Sequence, residues 1–167
     1  MQVHLAPLEE RYKPGCLKVF NQIIEEGLAF PWEKPFDMQA FNKKYPPHEP
    51  LWCALNDKDE VLGLFHLHPN NEGRCSHVAN CGYSVARQAR GQGIGRMLVA
   101  KSIEVAREGG FRGIQFNAVV STNHAAIKLY RSFGFAIIGT VPGGFRQGTA
   151  SDPHYVDMYV MYLPLET

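Results

Sequence analysis

Apolar and polar positions along this chain recur with two different periods, and the changes of period divide it into elements. Residues 16–30, "CLKVFNQIIEEGLAF", set Leu17, Phe20, Ile23, Ile24 and Leu28 at the spacing of a helix with one buried face, and Gly27 marks its stop. A second helical run puts Ile94, Leu98, Val99, Ser102, Ile103, Val105 and Ala106 on one half of a helical wheel. Arg96, Lys101, Glu104, Arg107 and Glu108 take the other half, and Gly109-Gly110 ends the run. In "STNHAAIKLYRSFGF", Ala126, Leu129, Tyr130 and Phe133 share one helical face, with Gly134 as the stop. Period-2 or continuous apolar runs predict strands at "VHLAPL", "LWCALND", "EVLGLFHLH", "SHVANCGYSV", "GIQFNAVV", "FAIIGTVP" and "YVDMYVMYLPL". Asp57-Lys58-Asp59 turns between the second and third, and the glycine-rich "GGFRQGTASDP" separates the last two. The proline-rich stretch from "FPWEKPFD" to Pro50 reads as loops around a short helix. The order β-α-α-β-β-β-α-β-α-β-β predicts an α/β protein with a mixed sheet and helices on its faces.

Composition narrows the function classes. The 167 residues suit one domain, 1–167, and 45% hydrophobic with 20% charged residues is ordinary globular chemistry. A net charge of +1, with no basic stripe, gives no electrostatic argument for nucleic acid. No apolar run approaches the ~18 residues of a membrane span. The opening "MQVHLAPLEERYKPG" lacks the basic-then-apolar layout of a signal peptide. Cys16, Cys53, Cys75 and Cys81 show no CxxC spacing and read as free, mostly buried thiols, which places the protein in the cytoplasm.

"ARGQGIGRML", residues 89–98, sets Gly91, Gly93 and Gly95 directly before the second helix. A glycine turn from a strand into a helix exposes unpaired N–H groups at the positive end of the helix dipole, which is an anion site suited to phosphate. Arg90 and Arg96 supply charges for phosphate oxygens. Gly95-Arg96-Met97 does not provide the Gly-Lys-Ser/Thr of an NTPase loop, and "GIQFNAVVS" has no acid for a dinucleotide ribose. The pyrophosphate of coenzyme A remains.

These residues resemble the GCN5-related N-acetyltransferase family. Arg90, Gly93 and Gly95 match its acyl-CoA motif, Arg/Gln-x-x-Gly-x-Gly/Ala, and Asn123, Tyr130, Gly134 and Phe135 match its second signature. "GTVPGGFRQG" with "YVDMYVM" is similar to phosphinothricin-type enzymes, and "RCSHVANCGYSV" with "FNAVVSTNHAA" to L-azetidine-2-carboxylate acetyltransferases. The resemblance implies a central mixed, mostly antiparallel sheet with helices on both faces. It also implies an acetyl-CoA-dependent N-acetyltransferase, a small-molecule amine as acceptor, and a homodimer.

Residue roles follow from the resemblance. Acetyl-CoA would lie along Val85 and the loop of Arg90, Gly91, Gln92, Gly93, Ile94, Gly95 and Arg96, reaching Asn123 and Tyr130. Tyr130 would protonate the departing sulfur, and Asn123 would bond the pantetheine arm or the thiolate. Phosphinothricin-type relatives carry a Glu base where this chain has Asn80. An amide takes no proton at neutral pH but orients an amine or carboxylate, so Asn80 and Asn117 are assigned to the acceptor, which is read as an amino or imino acid. An α-amine of pKa ~8 is about one-tenth free base at pH 7, at a cost of ~1.4 kcal/mol. His66, His68 and His77 offer a proton relay beside Asn80, and His66 is placed in the acceptor site. No acid or cysteine completes a metal set with them, so no metal is expected. Phe30, Trp32 and Phe36 wall the pocket or anchor the core. The competing readings are a non-catalytic acyl-CoA-binding module and a protein N-terminal acetyltransferase.

Overall fold

The structure is a computed structural model that describes residues 2–165. Its strands are β1 (His4–Pro7), β2 (Leu51–Leu55), β3 (Val61–Pro69), β4 (Val78–Val85), β5 (Gly113–Val120), β6 (Ala136–Gly148) and β7 (Pro153–Pro164). The helices are α1 (Lys13–Glu26), α2 (Met38–Lys44), α3 (Ile94–Glu108) and α4 (His124–Ser132). They follow the order expected from the sequence and form one seven-stranded sheet, β1-β2-β3-β4-β5-β7-β6. Every pairing is antiparallel except β4 with β5.

Alternation along β3 and β4 sorts the helices to the two faces. A side chain at Gly63 would meet Ile94 and Leu98, and the Tyr83 hydroxyl bonds the Ser102 hydroxyl, so the odd-numbered residues face α3. The even-numbered face meets α1 and α2, where His66 packs on Tyr45. Helix α1 buries Cys16, Val19, Phe20, Ile23 and Ile24 and stops at Gly27, whose φ of +65° suits only glycine without strain. Leu28, expected on the buried face of this helix, lies beyond that stop and is 55% exposed.

Phe20 is fully buried and contacts the rings of Phe30, Trp32, Phe36, Phe41 and Tyr45. Asn21 closes the same loop, accepting from the Phe36 N–H at 2.8 Å and donating to its carbonyl at 2.9 Å. The irregular segment 28–37 is therefore pinned to α1 by ring packing and a two-ended amide.

Two expectations are corrected. The segment "GGFRQG" continues β6 and does not form a loop; a register shift between Val141 and Phe145 absorbs its glycines, Asp157 accepts the Gly143 N–H, and the turn shrinks to 149–152. In α4, Ile127 is the buried residue, while Ala126, Leu129 and Tyr130 are half-buried because they front a cleft and Phe133 is half-buried beneath Arg96.

Candidate active site

The glycine turn forms a backbone cradle. Gly91 and Gly93 have φ of +74° and +81°, and a Cβ at either would meet nothing within 4 Å. Their requirement is conformational. Gly95 is different: a Cβ there would stand 3.3 Å from Leu129, so it lets α3 pack against α4. Gly93 caps α3 without a side-chain bond, which leaves the Ile94, Gly95 and Arg96 N–H groups outside the helical ladder. Ile94 contributes only that N–H, because its side chain is buried in the core. Gln92 is exposed and donates to the Gln88 carbonyl.

Neither arginine stands unpaired. Arg90 donates twice to Glu26, at 2.9 and 3.0 Å, and its Nε reaches the Val85 carbonyl at 3.3 Å. Arg87 joins the same carboxylate at 3.1 Å. Burial pushes the Glu26 carboxyl upward, but the Arg90 and Arg87 hydrogen bonds outweigh it and hold the group below the usual carboxylate range. Arg96 bonds the Ser132 hydroxyl and lies over the Phe133 ring. The sequence reading of phosphate-pairing arginines missed these partners. Glu26 did leave one signal: an acid in the last turn of a helix opposes the dipole, so it points to a specific cation.

The sheet opens beside this cradle. Strands β4 and β5 pair only at Val78↔Gly113 and Ala79↔Ile114 and then part. The Ala86 N–H donates to Leu62 and the Asn70 N–H to Val78, which fixes the antiparallel ladder so that even-numbered β4 residues bond β3. The N–H groups of Cys81, Tyr83 and Val85 consequently point into the gap.

Two cavities meet there. The larger, about 570 Å³, runs from Glu26, Arg90 and Gly95 past Val85 to Asn123 and Tyr130. The smaller, about 210 Å³, is lined by Phe30, Trp32, Asn80, Cys81 and Asn117 and by the same Tyr83, Asn123, Ala126 and Tyr130. Tyr130 stands at the junction, packed against Tyr83 and Phe116; burial raises its hydroxyl pKa, so it remains a proton donor. Asn123 caps α4, accepting from the Ala126 N–H at 3.3 Å, while fronting both cavities.

The acceptor assignments fare unevenly. Asn80, Trp32 and Phe30 line the smaller cavity. Asn117 lines it as well, but its amide donates to Asn70 at 2.7 Å and accepts from Gln115 at 3.0 Å. His66 is a correction: it is 6% exposed, bonds Glu49 at 2.6 Å, and lies outside both cavities because Tyr45 and Glu49 draw its ring toward α2. Gln147 and Thr122, which the sequence reading passed over, also line the larger cavity and bond each other at 2.7 Å. Neither residue belongs to a recognisable spacing; Gln147 lies on β6 opposite His154 and reaches the cleft through the fold.

The acetyltransferase (GNAT) family model matches residues 18–135, more than half of the chain. The N-acetyltransferase aca1 of Schizosaccharomyces pombe is 36% identical over 108 residues, 65% of this chain and 51% of that one, so the match spans about half of that relative's length. The L-methionine sulfoximine/L-methionine sulfone acetyltransferase of Pseudomonas paraeruginosa is 33% identical over 135 residues, 77% of each chain. A GCN5-related N-acetyltransferase from Kribbella flavida superposes with a TM-score of 0.90 at 35% identity, covering 98% of both chains. With the glycine cradle, the parted strands and the family model agreeing over the same residues, this chain belongs to the GCN5-related N-acetyltransferase (GNAT) family.

Proposed function

We propose that this chain transfers the acetyl group of acetyl-CoA to the amine of a small molecule, an amino or imino acid, within one ternary complex. The observation that carries this reading is the junction of the two cavities at Tyr130, one leading from the phosphate cradle and the other walled by amides and rings. The cradle fits a pyrophosphate: nothing stands within 4 Å of a Cβ position at Gly91 or Gly93, and three helix-end N–H groups converge beside it. Acetyl-CoA supplies the acyl group as a thioester.

The chain's own groups supply the rest. The Cys81, Tyr83 and Val85 N–H groups hold an extended arm in the β4–β5 gap, as an added strand would be held. The N–H group of this row that faces the acyl oxygen, from Val85 or its neighbour, would stabilise the charge that develops there. Tyr130 gives its phenol proton to the departing sulfur. The Asn80 amide orients the amine, and Phe30 and Trp32 exclude water. The small size of the acceptor cavity, about 210 Å³, favours an amino-acid-sized amine over a protein chain end. Similarity to a methionine sulfoximine and sulfone acetyltransferase supports the same class; the azetidine-carboxylate alternative rests on Asn80 and Asn117.

The test is thiol release from acetyl-CoA with L-methionine sulfone, phosphinothricin, azetidine-2-carboxylate, proline and a lysine peptide. Turnover confined to the small amino or imino acids is expected. Acetyl-CoA binding without any turnover favours a binding module, a reading that the absence of a carboxylate at position 80 would then explain.

A further inference from the structure

Next to Asn80, but outside the residues that line either cavity, lies a histidine pair that the reading above leaves unused. His66 and His68 are two apart on β3, so both rings project from the face that carries Asn80. His68 pairs with Asn80 across the β3–β4 ladder, in a hydrogen-bonded pair whose Cα atoms are about 5.5 Å apart. The two imidazoles stack at 4.9 Å and 21°.

Their hydrogen bonds fix which nitrogens carry protons. Burial, with the His68 and Lys44 charges, pushes His66 down to about 3, so it is neutral and donates its Nε2–H to Glu49 at 2.6 Å. His68 Nδ1 lies 2.9 Å from the Pro69 carbonyl. A carbonyl only accepts, so Nδ1 carries a proton, and in the neutral ring the lone pair is left to Nε2. His68 stacks on His66 and faces the neutral Asn80 of β4, while the charged and titratable groups around His66 are Lys44 at the end of α2, Tyr45 just after it, and Glu49 on the segment before β2. Lys44 is turned over the Trp32 ring at 4.3 Å.

The titratable residues that line the smaller cavity are Cys81, Tyr83 and Tyr130, and none accepts a proton at neutral pH. Burial raises Tyr83 and Tyr130 and pushes Cys81 up to about 12, so all three stay protonated.

We propose that His68 is the proton acceptor of the transfer, taking the ammonium proton through one water held by the Asn80 amide, with His66 and Glu49 as positioning residues. This rests on the acetyltransferase reading. The ammonium N–H bond breaks and His68 becomes an imidazolium. The neutral nitrogen bonds the acyl carbon to give a tetrahedral intermediate, whose collapse breaks the carbon–sulfur bond. Tyr130 protonates the sulfur and is reprotonated from the new amide nitrogen, and His68 returns its proton to solvent.

The experiment compares wild type with His68→Ala and His68→Asn from pH 5.5 to 9, using the panel above and thiol release. Melting temperature and acetyl-CoA affinity confirm that each variant folds. Wild-type kcat/KM is expected to fall on the acid side as its proton acceptor is lost. In both variants, kcat/KM at pH 7 is expected to fall about 100-fold with acetyl-CoA affinity unchanged. The deficit closes as pH approaches the amine's own pKa, and the acid limb is gone. Glu49→Gln is expected to lower kcat several-fold and leave KM unchanged. A wild-type profile retained in His68→Ala overturns the proposal while leaving acetyl transfer intact. Silence of the wild type across the panel overturns the transfer reading itself. Histidine ¹⁵N NMR on the unliganded protein adds an independent check, since a proton on Nε2 of His68 at pH 8 would also overturn the assignment.

Discussion

The two ends of the cleft are built from different materials. The cofactor end is made of backbone: two glycines in the left-handed region, three helix-end N–H groups, and the odd-numbered N–H groups of β4. The acceptor end is made of side chains that arrive from distant parts of the chain, namely Phe30 and Trp32 from the loop after α1, Asn80 from β4 and Asn117 from β5. A backbone cradle depends on conformation, so only substitutions that change φ or fill space disturb it. A side-chain pocket can be rewritten one residue at a time, which is how members of one fold family come to accept different amines.

The sharpest way to break this contrast is at Gly93. With φ at +81°, a β-branched residue there is strained, and the turn that aims the Ile94 and Gly95 N–H groups must shift. Gly93→Val is expected to weaken acetyl-CoA binding about 100-fold, or ~2.7 kcal/mol, by calorimetry, with the fold kept by circular dichroism. Unchanged binding would mean that side chains hold the anion after all.

Tyr130 stands where the two ends meet, so the role proposed for it separates binding from chemistry. Tyr130→Phe keeps the ring packing on Tyr83 and Phe116 and removes only the proton donor. We expect kcat to fall about 30-fold and the acetyl-CoA dissociation constant to stay within about twofold. Because burial raises this phenol, its donor form persists as pH rises, and any alkaline loss of kcat from its ionisation lies above the ordinary tyrosine value of 10.0. An equal loss in cofactor affinity would assign Tyr130 a packing role.

Much of the cofactor end was legible in the sequence for the reason that makes it robust. A glycine needed at positive φ, a strand leading into it and an apolar stripe following it are local and contiguous, and residues 89–98 contain all of the turn. The family signature points to Tyr130 and Asn123, and the fold sets them on α4 and at its N-cap, where both front the two cavities. The acceptor end was read less well. His66 looked like a pocket residue because it alternates with His68, but Glu49 and Tyr45, which turn it away, are about twenty residues distant in sequence and reach it only through the fold. The β6 bulge was hidden because its glycines carry a turn composition while their backbone stays paired to β7.

At the acceptor end, the two asparagines are expected to differ. The Asn80 side chain fronts the cavity, whereas the Asn117 amide is held from both sides by Asn70 and Gln115. Asn80→Ala is expected to raise KM for the amine about 10-fold, the scale of one hydrogen bond of ~1.4 kcal/mol. Asn117→Ala is expected to raise it no more than about twofold, since its present bonds must be exchanged for any new one. Equal effects would mean that binding pulls Asn117 away from its neighbours.

The smallest expected effect is at Glu26, and it tests whether the backbone cradle needs side-chain bracing. The carboxylate ties α1 to the loop through Arg90 and Arg87, whose side chains are 43% and 68% exposed, so solvent screens both pairs. Such pairs contribute at most ~1 kcal/mol, and Glu26→Gln is expected to lower the melting temperature at pH 7 by about 2–4 °C. The sign of its pH dependence follows from the lowered carboxyl pKa. The clasp contributes fully above the ordinary carboxylate value of 4.5 and is lost as pH falls through the depressed folded-state value. The melting curves of wild type and Glu26→Gln should therefore converge below that range and separate above it. Losing the acid also leaves Arg90 to meet an anion directly, so acetyl-CoA affinity should hold or rise by about two- to threefold. A marked fall in affinity would show that the cradle's geometry depends on this clasp, and that the cofactor end is less purely backbone than its glycines imply.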